Sequence, residues 1–254
     1  VSRYYSKLEN PKDFVIKSIM ATFSPNFLTR RYSTTHITKR RRLTCHASPD
    51  TSIISLKEWA PVIAALKSGQ QTILMRKGGI REPRFTPASQ NFLLLPTSFH
   101  TDAHLLKPEA RLAYQHELQI EPKHLPSITF DLYAAVTGCW TTFQADQLLH
   151  LLDPLHIWTP EFLDKRLRWR SDQPITLMEL RVSVIEDDPV QLVPREEWWG
   201  CFSWANVDIK EEVIAAKRKI PVLKDNEWAE KQSFLRDQLE KIDVEELYIT
   251  LSIT

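Results

Sequence analysis

The sequence predicts an α+β domain: a mixed or antiparallel sheet with flanking helices, a small barrel-like core within its range, and a C-terminal amphipathic helix. Three observations lead there. QTILMR at 71–76, NFLLLPT at 91–97 and ITLMELRVSVI at 175–185 are short β-prone runs. Between them lie stretches of helical periodicity. Beyond residue 206 the composition turns charged, with Trp228, Leu235, Leu239 and Ile242 at intervals of seven, four and three, which describes one apolar helix face.

The first 49 residues stand apart. No acidic residue occurs between Asp13 and Asp50, and that gap holds seven basic residues and ten serines or threonines. From Met20 the run MATFSPNFLTRRYSTTHITKRRRLTCHA is hydroxyl-rich, arginine-rich and acid-free, the composition of an organellar transit peptide, with residues 1–19 as an upstream extension. The serine and threonine content favours a chloroplast, and so a soluble stromal protein. The competing reading is a basic arm that binds nucleic acid through KRRR at 39–42. The whole chain has a net charge of +1, residues 1–49 carry +8, and the remainder therefore carries −7. Bulk charge does not hold such a domain to nucleic acid, so any such binding needs a local basic patch. Three domain segments follow: a disordered leader over 1–49, an α+β domain over 50–206 with an internal boundary near 120–127, and a charged helical extension over 207–254.

Along the domain, SIISLKEWAPVIAALKSGQ at 52–70 spaces Leu56, Trp59, Ile63 and Leu66 as one face of a helix, stopped by Gly69. Pro61 must then sit in its first turns. The strand at 71–76 runs into MRKGGIREPRF, which uses two of the five glycines in the chain. Gly78 and Gly79 permit positive φ or a close approach of backbone amides to a bound group. Arg76, Lys77, Arg81 and Arg84 surround Glu82. This is a candidate phosphate site at a strand end, or else a salt-bridged hairpin. A P-loop is excluded, since GxxxxGK[ST] is absent.

The strand at 91–97 leads into PTSFHTDAH, where His100, Asp102 and His104 lack HExxH spacing and a third ligand. Residues 107–118 read as a surface helix, and the proline-containing link after it as the internal boundary. A buried strand is expected around Gly138, a short helix at 144–153, and a helix start at Thr159-Pro160-Glu161. In the run at 175–185, Glu179 and Arg181 share a face. WWGCFSW at 198–204 seals a core or offers a stacking platform. Cys139 and Cys201 lack CxxC spacing and read as buried thiols, and Cys45 belongs to the leader.

LKEWAPVIAALKSGQQTILMRKGGI, FLLLPTSFH, HIWTPEFLDKRLRW, LRVSVI and WWGCFSW together resemble the DUF1802 family of bacteria, cyanobacteria and plants, over Leu56 to Trp204. The matching positions include Trp59, Thr97, Trp158, Arg166, Arg181, Gly200, Cys201, Ser203 and Trp204. This chain has Thr101 where the family commonly has glutamine after the histidine. A plant copy of a family shared with cyanobacteria fits plastid import. The resemblance implies no reaction.

Three functions follow. The first is a nucleic-acid or nucleotide-binding module for single-stranded RNA, with Arg76, Lys77, Gly78, Gly79, Glu82, His100, Arg181 and Trp204 as its site. The order helix, strand, basic turn, strand is similar to small RNA-binding barrels of the PUA and ASCH type, an analogy of fold only. The second is a structural or assembly protein that meets a partner or a second copy through residues 210–250. The third is a phosphodiesterase or nuclease in which Glu82, Asp102 or Glu179 holds Mg²⁺ and Lys77 stabilises phosphate charge. Magnesium enters only under that third reading, and no other cofactor is implied.

Overall fold

The computed structural model describes residues 39–46, 52–78, 84–162, 164–165 and 172–252. They fall in one compact unit, His36–Thr254. Its main sheet is mixed, as the sequence predicts. Strand β1 (Lys39–His46) runs parallel to β11 (Glu245–Ser252), and β11 pairs antiparallel with the long β6 (Leu132–Thr142). On the same side of β6 lies β4 (Asn91–Thr97), which pairs parallel with β2 (Ser52–Trp59), and β9 (Trp204–Lys210) adds antiparallel to β2. On the other side β7 (Ile175–Ile185) carries both β3 (Ile73–Arg76) and β10 (Lys219–Pro221). A two-stranded sheet joins β5 (Ile128–Phe130) to β8 (Val190–Leu192). Among the described residues no strand pairing joins β3 to β2 or β9, so the sheet curls without closing into a barrel.

The helix expected over 52–70 is half strand. Residues 52–59 form β2, and only Ala60–Lys67 form helix α1. Pro61 decides the division. It has no N–H to donate and is tolerated in the first helical turn, so the helix begins beside it and LKEW stays extended. Gly69, at φ 74°, ends the helix as expected, donating its N–H to the Leu66 carbonyl at 3.2 Å. The surface helix expected at 107–118 is two short ones, α2 (Pro108–Ala113) and α3 (Gln115–Gln119), and α4 (Ala145–Leu151) follows β6. Gly138 sits at a bulge in β6, where a Cβ would lie 2.1 Å from the Trp140 ring. Only glycine lets that indole fold back over its own strand.

Strands β2 and β4 are buried on both faces, whereas the edge strand β9 alternates, burying Ala205, Val207 and Ile209 and exposing Asn206, Asp208 and Lys210. Leu56, Phe92 and Leu94 join the main core with Ile73, Leu177 and Leu180, while Ile53, Leu93, Leu95, Ala205 and Val207 form a second cluster around Trp198. Burial on two sides accounts for the unbroken apolar run FLLL. It also splits the tryptophan-rich run: Trp198 anchors the second cluster, its Nε1 donating to the Asn206 carbonyl at 3.1 Å, whereas Trp204 packs on the first.

Residues 207–254, read as a helical extension, supply most of β9, then α5 (Glu211–Ala215), β10, α6 (Asp225–Leu239) and β11. Glu227 Oε2 accepts the Lys224 N–H at 3.0 Å and opens α6. The spacing of its apolar residues holds, with Trp228, Leu235 and Leu239 buried, but the last two lie in the main core. The link at 120–127 likewise runs within the single unit. Lys39–His46, inside the segment read as leader, is a strand in register with β11.

Candidate functional site

Strands β2 and β3 are four pairings apart along the path β2–β4–β6–β7–β3, yet their ends meet. Arg76 Nη1 donates to Glu58 Oε2 at 2.9 Å, an ion pair whose carboxylate side chain is 7% exposed. Glu58 Oε1 accepts the Trp59 N–H at 2.8 Å, so both of its oxygens are engaged. The Arg76 guanidinium also lies 5.3 Å from the centre of the Phe85 ring. Phe85 in turn stacks on Trp204 at 5.9 Å, and Phe92 meets the same indole edge-on at 5.1 Å. Thr176 Oγ1 donates to the Phe85 carbonyl at 2.9 Å and fixes that segment. Curvature of the sheet thus produces an open seam, crossed by one ion pair and one aromatic stack.

Lys57 occupies the other face of β2. Leu56 is opposite Trp204, so Lys57 falls opposite Ser203, and its N–H donates to the Ser203 carbonyl at 2.9 Å. Its Nζ donates to the Gly200 carbonyl at 2.7 Å and stands 3.5 Å above the Phe202 ring. Lys57 is only 6% exposed, while Phe202 is 42% exposed. Burial brings the ammonium down to about 8, the Arg76 charge pushes the same way, and the Cys201 side chain opposes both. No carboxylate of a described residue forms an ion pair with Lys57. The seam therefore gathers two cations and one fully engaged carboxylate, flanked by an exposed ring.

Of the residues singled out in the sequence, Arg76 and Trp204 come together through Phe85. Gly200, Cys201 and Ser203 form the turn over Lys57. Cys201 is exposed rather than buried, because that turn directs the Gly200 carbonyl inward to Lys57 and leaves the thiol outside. Lys77 is half-buried beside a buried Gly78, and burial lowers its pKa against the pull of Asp172. His100 ends the turn after β4 at φ 60°, its ring 3.9 Å from that of exposed Phe99. Thr97 Oγ1 accepts the Phe99 N–H at 3.1 Å. Gly79, Glu82 and Arg166 lie outside the described residues.

Other residues are placed elsewhere. Arg181 pairs with Asp225 and lies 5.5 Å from the Trp228 ring centre, committed to α6. Trp158, 2% exposed, stacks on Phe162 at 4.6 Å, and Trp59 meets Phe162 edge-on at 6.1 Å, so both are packing residues. Of the carboxylates considered for Mg²⁺, Asp102 binds Lys165 at 2.8 Å and Glu179 binds Arg236 at 2.9 Å on a different element. Among the described residues no group of three His, Cys, Asp or Glu side chains is assembled to hold a metal.

Sequence reasoning missed Lys57 and Glu58, because on a helix over 52–70 both would belong to a solvated polar face. Pro61 was the available signal: a helix starting beside it leaves LKEW in the strand, and puts Lys57 and Glu58 on opposite faces of a buried sheet.

The model of a family described as a domain of unknown function, DUF1802, matches residues 55–233, and the chain belongs to that family. No curated protein matches. Among solved structures the chain is similar to ASCH from Zymomonas mobilis, at 11% identity and a TM-score of 0.39, with 66% of this chain and 98% of that one covered. A serine-to-alanine mutant of the same protein gives 11% identity and a TM-score of 0.37 over 67% of this chain and 100% of that one.

Proposed function

We propose that the protein is a nucleic-acid-binding module that takes a single-stranded RNA segment, or a nucleotide, at the open seam. The observation that carries this reading is the Lys57 ammonium, held without a carboxylate partner among the described residues, beneath a phenyl ring that is 42% exposed. A phosphate oxygen accepts from Lys57, the nearby Arg76 charge adds to the attraction, and an unpaired base stacks on Phe202. Attraction is local and salt-sensitive, since the chain beyond residue 49 carries −7.

Fluorescence anisotropy with a single-stranded RNA pool tests the reading. Lys57→Gln weakens binding about tenfold, or ~1.4 kcal/mol, and Phe202→Ala by a similar factor. Magnesium-dependent product on a gel favours the phosphodiesterase instead. Absence of binding at low salt favours the assembly protein.

The acid-free leader supports a place in the chloroplast stroma. N-terminal sequencing of protein recovered from plastids tests it: a chain starting beyond Met20 is expected, and an intact Val1 in cytosol refutes import.

A further inference from the structure

We propose that capture of the anionic backbone at this seam is proton-linked, with Lys57 as the group that must be charged. The inference rests on the nucleic-acid reading above and names how that site is regulated.

Among the described residues around it, the geometry singles out Lys57 as the titrating group. From its own strand, Glu58 turns to the opposite face and spends both oxygens on Arg76 and the Trp59 N–H. From β3, Arg76 presents a second positive charge. From the turn before β9 come a carbonyl, a ring and the Cys201 side chain. A nearly enclosed amine with a like charge beside it loses its proton more readily than one in water, and burial with Arg76 brings Lys57 to about 8. An entering phosphate oxygen supplies an opposite charge beside Nζ and favours the ammonium. Above about pH 8, binding therefore transfers one proton from solvent to Nζ, and below that the proton is already in place. Affinity is level on the acid side and falls on the alkaline side, approaching tenfold per pH unit.

The experiment measures binding of a fluorescent single-stranded oligonucleotide to the full chain between about pH 6.5 and about pH 9.5. Calorimetry near pH 8, in two buffers of different ionisation enthalpy, reads proton uptake by the native protein directly. Wild type is expected to lose affinity through the alkaline half and to take up protons on binding. Lys57→Arg is expected to bind with a flat profile, because guanidinium stays charged. Cys201→Ser is expected to keep the wild-type slope, which separates the amine from the neighbouring thiol. A pH-flat wild type, or an unchanged slope in Lys57→Arg with no proton uptake, overturns the linkage while leaving the binding reading intact. Failure to bind at every pH overturns the binding reading itself.

Discussion

Arg236 on α6 reaches across to Glu179 on β7, with Nη2 2.9 Å from Oε2 and the guanidinium 4.3 Å from the centre of the Trp140 ring. The Glu179 side chain is 2% exposed, and the same oxygen also accepts from Thr137 Oγ1 at 2.7 Å and Gln232 Nε2 at 3.3 Å. This cluster ties the helix to the sheet. Arg236→Met leaves a buried carboxylate without its cation and is expected to destabilise by about 3 kcal/mol. Adding Glu179→Gln recovers much of that loss. Urea denaturation of the single and double variants measures the coupling, and strictly additive effects would show that the pair does not interact.

The C-terminal residues are part of the core. Leu235, Leu239, Val244 and Leu247 pack with Leu177 and Trp140, and β11 pairs with β6. A chain ending at Asn206 is expected to lose near-ultraviolet circular dichroism and cooperative melting. A soluble, cooperatively melting fragment would return these residues to the role of an extension.

Lys57 carries a stability penalty for its position. Its folded value near 8 lies below the ordinary 10.5, so the unfolded chain holds that proton more tightly. The penalty is on the order of 3 kcal/mol below about pH 8 and disappears as pH rises toward the unfolded value. Lys57→Met, which also removes the bond to Gly200, is expected to stabilise the fold by about 1–2 kcal/mol at neutral pH. That gain shrinks toward about pH 10. Thermal melts across this range check it, and a gain constant with pH would point to packing instead.

His156 sets an acid limit. It is 3% exposed; Nδ1 accepts the Trp158 N–H at 3.2 Å, so Nε2 carries the proton donated to the Leu149 carbonyl at 3.0 Å. Burial holds its pKa down to about 4 despite that carbonyl, with nearby Lys107 acting in the same direction and Asp153 against it. The unfolded chain takes the proton first, so stability falls as pH drops from about 6.5 to about 4, by on the order of 3 kcal/mol. His156→Gln, which keeps a donor and an acceptor, should flatten that window. An unchanged slope would assign the acid transition to other groups.

Arg76 looks replaceable in the sequence, since it breaks the apolar pattern of β3. The ion pair with buried Glu58 predicts otherwise. Arg76→Ala should destabilise by about 2–3 kcal/mol, whereas Lys77→Ala, at a half-buried position, should change stability by under about 1 kcal/mol. Equal melting temperatures for the two variants would refute the distinction.

Local chemistry in the sequence was sufficient for several elements, but not for β2, read as helix, or for the strands within 207–254. The apolar run FLLL marks β4, the long β-prone run ITLMELRVSVI marks β7, Gly69 marks the end of α1, and the spacing of Trp228, Leu235 and Leu239 marks the buried face of α6. Each depends on neighbours a few residues away. The RKGG turn was legible as unusual for the same reason. Only the tertiary structure decided which polar groups share a site. Glu58 and Arg76 meet because the sheet curls, Lys57 meets Gly200 and Phe202 because β9 adds to β2, and Arg181 is turned away to Asp225 by α6. Lys57 and Gly200 are 143 residues apart in the chain, and no local periodicity encodes a contact that arises from strand order and sheet curvature.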